Sequence, residues 1–175
     1  MRRTLLTLAL ALPLVSACAS GGGGGMRPRY DPAAGQTNLE QLILQTSAGG
    51  SDAAPMRVTA RYSWRGQGTP APAPHAYLSF DAWPQGSAWP WRSENQLQVT
   101  LDGQRARYNG RYDNETRDGR RHENMVYQIP IGDLAVMADA GRIEGRIGPR
   151  SFVLEADDLA RLREFVTYIR GGTQR

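Results

Sequence analysis

From residue 56 the chain alternates with a period of two. Met56, Val58, Ala60, Tyr62 and Trp64 interleave with Arg57, Thr59, Arg61, Ser63 and Arg65, which predicts a strand with one apolar face and one cationic, solvated face. The same alternation returns at Ala76, Leu78, Phe80 and Ala82, and again at Leu97, Val99 and Leu101. Asp102-Gly103 is a tight-turn signal, so the chain should reverse there into a strand over 104–113. That strand would carry Ala106, Tyr108 and Tyr112 on one face and Arg105, Arg107, Asn109 and Arg111 on the other. Met125, Tyr127, Ile129 and Ile131 mark the next strand, with Pro130 suiting an edge or a strand terminus. Ile143 and Ile147, then Phe152, Val153 and Leu154, complete a set of seven strands.

Two stretches change period. Leu159, Leu162, Phe165, Val166 and Ile169 fall at helical spacing, with Asp157 and Asp158 in the first turn and Arg170 in the last. This charge order complements the helix dipole. A shorter helix over 132–140 presents Leu134, Val136, Met137 and Ala138, and Gly141 is placed to stop it in the left-handed conformation. Residues 38–46 fit two readings: a helix capped by Asn38, or a strand through Leu42, Ile43 and Leu44. Gly/Pro-rich or charged stretches at 66–74, 83–95 and 115–121 read as loops. The pattern predicts a mainly β domain, an antiparallel sheet or β-sandwich-like arrangement, with the C-terminal helix packed on it and one short helix. No period of 20–50 residues repeats, which excludes solenoids and propellers. The domain is expected over 55–171, with 172–175 a disordered tail.

Ahead of this domain the chain is organised differently. Arg2 and Arg3 precede an apolar run over 5–15, too short for a bilayer span of roughly 20 residues and suited to a secretory signal. Val15-Ser16-Ala17-Cys18 follows, then five glycines over 21–25. These residues resemble the lipobox of bacterial lipoproteins. The resemblance implies a signal peptide over 1–17, acylation of Cys18 by palmitate-type chains, and a tether over 18–54. Two or three acyl chains meet the requirement for lasting anchorage. Ala19 rather than Asp after the cysteine resembles outer-membrane sorting, so the expected location is the cell envelope, lipid-anchored, at the periplasmic face of the outer membrane. Near the other end, Arg142-Ile143-Glu144-Gly145-Arg146-Ile147-Gly148, then Phe152 and a helix, resemble a recurring, uncharacterised domain of secreted bacterial proteins. That resemblance supplies no function.

Charge and composition narrow the partners. All 21 basic residues are arginine, and loss of Arg2 and Arg3 with the signal leaves 19 against 17 acidic residues. So small an excess attracts polyanions weakly, which argues against nucleic acid as a partner. Cys18 is the sole cysteine, so no disulfide forms within the chain and the apolar core must hold the domain together.

The search for chemistry yields few residues. Lysine is absent, Cys18 is assigned to lipid, and His75 and His122 are the two imidazoles. Gln85-Gly86-Ser87-Ala88 lacks the second glycine of a nucleophile elbow. His122 and Glu123, being adjacent, should point to opposite faces of a strand. Asp113, Glu115 and Asp118 lack the spacing of a calcium loop. No catalytic, metal or cofactor-binding residue is therefore assigned. Trp83, Trp89 and Trp91 cluster in the loop over 83–95, stiffened by Pro84 and Pro90. They are either an aromatic platform for an envelope protein or glycan, or rings folded back to cap the sheet. Arg57, Arg61 and Arg65 could join Arg105, Arg107 and Arg111 in one patch toward anionic lipid. The leading expectation is a non-enzymatic envelope lipoprotein that binds or assembles. The alternatives are a periplasmic hydrolase with unidentified carboxylates and a structural subunit of an envelope complex.

Overall fold

The strand over Gln104–Arg117 holds the architecture together, because its two halves pair with different neighbours. In the computed structural model, which describes residues 26–46, 55–84, 91–117 and 119–171, nine strands form one antiparallel sheet. They are β1 (Arg29–Asp31), β2 (Gln36–Thr46), β3 (Met56–Arg65), β4 (His75–Ala82), β5 (Gln96–Leu101), β6 (Gln104–Arg117), β7 (Arg120–Pro130), β8 (Ile143–Ile147) and β9 (Arg150–Leu154). The helices are α1 (Ile131–Asp139) and α2 (Ala156–Gly171). The strand order is β1-β2-β3-β4-β7-β6-β5-β8-β9.

The first half of β6 pairs with β5 from Gln104 to Asn109, and the second half pairs with β7 from Gly110 to Arg117. Gly110 sits at the handover, where its backbone N–H donates to the Asn95 carbonyl at 2.8 Å. The Tyr127 ring lies where a Cβ would project, 2.5 Å away at its nearest atom. Beyond this point the sheet curls until Phe152 of β9 meets Phe80 of β4, with ring centroids 5.2 Å apart. Four strands lie between those two in the sheet order, so only a strongly curved sheet brings them together. The resulting single core includes every apolar position of the β3 and β4 alternation, from Met56 to Trp64 and from Ala76 to Ala82.

Local chemistry explains most of the boundaries. Asp102 and Gly103 both have positive φ, 47° and 84°, as a two-residue primed turn requires. Pro130 ends β7 and stands as the N-cap of α1, the terminus that its missing N–H permits. The α2 stripe of Leu159, Leu162, Phe165, Val166 and Ile169 is buried as its spacing predicts. Tyr62 and Trp64 reach from β3 into the Gly/Pro loop, where Tyr62 donates to the Ala71 carbonyl and Trp64 Nε1 donates to the Gly68 carbonyl at 3.0 Å.

Four expectations require correction. Residues 38–46 are strand, and with β1 they belong to the sheet, so the ordered domain begins well before residue 55. The register of β2 against β3 shifts between Leu42 and Leu44. At that bulge Ile43 turns its carbonyl to Arg161 Nε of α2, 2.9 Å away. An extra residue of this kind hides period two from a sequence reading. Within the charged stretch over 115–121, residues 115–117 and 120–121 are strand rather than loop, since the β6–β7 ladder continues to Arg117↔Arg120. Gly141 is absent from the positive-φ residues; α1 ends at Ala140, which is extended with φ −63° and ψ 152°, and Arg163 donates to the Ala138 carbonyl at 2.8 Å. Finally, the strand count rises from seven to nine through β1 and β2. No helix among the described residues is long and apolar enough to cross a membrane.

Candidate functional site

The loop after β4 begins and returns on opposite faces of the sheet, and two consecutive residues of β7 hold its ends. His122 faces the polar side, where its ring stacks on Trp83 at 5.3 Å and 29°. Glu123 faces the core, where its Oε1 accepts the backbone N–H of Trp91 at 3.1 Å. Opposite projection of neighbours is the ordinary consequence of strand geometry.

On the polar side the antiparallel register aligns Arg57, Asp81, Asn124 and Asp113 across four strands. Asn124 Nδ2 donates to Asp81 Oδ1 and to Ser79 Oγ, each at 2.8 Å. His122 Nε2 lies 2.9 Å from Asp81 Oδ1, and Nδ1 lies 3.3 Å from Glu115 Oε1. The Arg57 guanidinium stands 5.6 Å from the centre of the Trp83 ring, within cation–π range. Ser79 is fully buried and Asp81 nearly so. The network resembles a hydrolytic triad only in composition. A serine nucleophile needs one imidazole nitrogen for itself and the other for the orienting carboxylate. Here both nitrogens of His122 face carboxylates, and Ser79 meets Asn124 instead.

The core side holds a carboxylate in an apolar position. Glu123 falls in register with Met125, Tyr127 and Ile129 and is fully buried. Besides the Trp91 N–H it accepts the Tyr112 hydroxyl at 3.2 Å, while Oε2 has no hydrogen-bond partner. Burial pushes the Glu123 carboxyl up from its ordinary 4.5, against opposing effects from the Trp91 and Tyr112 hydrogen bonds and the nearby Arg150 charge. The Tyr112 hydroxyl is pushed up to about 12, first by burial and then by Glu123. Burial also lowers the Arg150 guanidinium, with Glu123 opposing the change.

A pH dependence follows. With its folded pKa raised, Glu123 retains a proton in the folded chain that the unfolded chain has already released. Stability should therefore fall as pH rises from 4.5 through the folded value, because ionisation becomes costly in the folded state alone. Glu123→Gln keeps an acceptor for Trp91 and removes the ionisation. Its melting temperature, measured against pH beside the wild type, should lack this decline; parallel profiles would contradict the assignment.

The anticipated contacts separate. Trp91 is fully buried and belongs to the core, so it presents no platform. Trp83 is half-buried on the polar face with His122 and Arg57 against it. Trp89 and Cys18 lie outside the described residues. The arginines do not merge into the anticipated patch, because β4 and β7 stand between β3 and β6, Arg57 faces Trp83, and Arg61 pairs with Glu40 at 3.3 Å. Among the described residues, no three His, Cys, Asp or Glu side chains are gathered to hold a metal ion. In the sequence Glu123 stands out only as the neighbour of His122, although a carboxylate in the apolar phase of a strand is a usable signal. No protein-family model, curated protein or solved structure matches this chain.

Proposed function

We propose that this chain is a bacterial envelope lipoprotein, anchored through Cys18, whose β-rich domain acts by binding or assembly. The observation that carries the reading is the placement of Val15-Ser16-Ala17-Cys18 between an apolar run and five glycines. A tether fits the fold that follows, since the first described strand begins at Arg29, after the five glycines. Binding is preferred to catalysis because, among the described residues, the convergence of histidine and carboxylates at His122 leaves that ring no nitrogen for a nucleophile. The Trp83 face, backed by hydrogen bonds from three strands, supplies a rigid polar surface suited to an envelope protein or glycan. The membrane partner is the outer membrane, on its periplasmic side.

Metabolic labelling with a palmitate analogue, followed by membrane fractionation, tests the anchor. Wild type should incorporate the label and sediment with membranes. Cys18→Ala should take up none and accumulate as uncleaved or mislocated precursor. A Cys18→Ala chain that localises normally without lipid would overturn the reading.

A further inference from the structure

The half of the sheet formed by β5, β8, β9 and the first part of β6 carries a groove of about 370 Å³ on its polar face. Its lining follows from two cross-strand rows. Arg107, Gln98, Arg146 and Ser151 form one, and Arg105, Thr100, Glu144 and Val153 form the other. Arg105 and Arg107 of β6 and Arg146 of β8 thus project from the polar side, the two strands about 10 Å apart at the backbone with β5 between them. Among the described residues none of the three makes an ion pair. The single carboxylate of the groove, Glu144, is engaged by Arg142 at 3.5 Å, so the local excess of positive charge is uncompensated. Gln98 and Ser151 add neutral hydrogen-bonding groups between and beside Arg107 and Arg146.

We infer that this groove binds a phosphate group, held by Arg107 and Arg146 over Gln98 with Arg105 supplying further charge. Planar guanidinium groups match phosphate oxygens two at a time, and such charge-assisted contacts are the strong class of hydrogen bond. Lysine would offer a point charge without that fork, and this chain contains none. The site is separate from the Trp83 face and stands whether or not Cys18 carries lipid. Two sources of the phosphate share this chemistry: free inorganic phosphate and the phosphodiester of a lipid headgroup.

Isothermal titration of the detergent-solubilised full chain separates them, using inorganic phosphate in one arm and glycerophosphoglycerol, a soluble headgroup, in the other. Saturable binding in either arm is expected, weakened by salt and reduced about tenfold or more by Arg107→Gln with Arg146→Gln. The arm that binds identifies the source. Arg61→Gln with Arg65→Gln, on the other half of the sheet, should bind as wild type. The groove variants should melt as wild type, since these side chains are exposed. Absence of saturable binding in both arms, or full affinity in the Arg107→Gln, Arg146→Gln chain, would overturn the inference.

Discussion

Trp91→Ala should lower the stability of the domain by about 3–5 kcal/mol, the range for removing a large aromatic from a packed interior. The ring is fully buried and ranks first by volume among the fully enclosed side chains. Its loss leaves a cavity that a sheet of nine paired strands has little freedom to close. The loop return is affected as well, because the Trp91 N–H donates to the buried Glu123 carboxyl group beside the Tyr112 hydroxyl. Trp83→Ala should cost far less, since that ring is half-buried on the polar face and loses His122 stacking and the Arg57 contact alone. Denaturant titration of both variants checks the pair. A Trp91→Ala chain as stable as Trp83→Ala would show that the ring is not part of the core.

Gly145→Ala is the second substitution with a large expected cost. A Cβ there would lie 2.0 Å from Phe152 Cζ and 2.5 Å from two further ring atoms. The ring cannot step aside freely, because it packs against Phe80 and closes the curl of the sheet. Overpacking of this kind costs about 1–3 kcal/mol, and the upper end is expected where the obstacle is a core aromatic. The conflict is one of space, as Gly145 has no positive φ. Shortening the obstacle should therefore relieve it. In a Phe152→Leu background Gly145→Ala should cost at least about 1 kcal/mol less than in the wild type, a coupling that a double-mutant cycle reads directly. Additive costs would rule out the clash. Gly141→Ala serves as a control, with nothing within 4 Å of its Cβ and an effect expected within about 0.5 kcal/mol.

The parts of the fold that were legible share a property: their signal is local. Seven strands announce themselves by alternation, the β5–β6 turn by Asp102-Gly103, and α2 by a stripe and charge order that need no partner to be recognised. The parts that were missed depend on distant residues. The bulge at Ile43 is stabilised by Arg161, which lies 118 positions away. The stretch over 115–121 is polar because the β6–β7 hairpin extends past the core. Such a strand resembles a loop in composition and is held as strand by its ladder. The site divides in the same way. The aromatic loop was visible in the sequence, but the sorting of its tryptophans was not. Trp83 lies beside His122 and Trp91 beside Glu123 because β4 and β7 are adjacent, a pairing that brings Asp81 to Asn124 across 43 positions of sequence.

By itself, the sequence determined which faces of the strands are apolar, where the main turns and the long helix fall, and that Cys18 lies between an apolar run and five glycines. Each rests on side-chain period, turn stereochemistry or contiguous composition, all properties of neighbouring residues. Tertiary structure decided the strand order, the curl that brings Phe152 to Phe80, the burial of Trp91, and the assembly of Arg105, Arg107 and Arg146 in one groove. The physical reason is that β pairing joins residues through backbone hydrogen bonds that carry no side-chain label. Which strands become neighbours is settled by how the whole core closes.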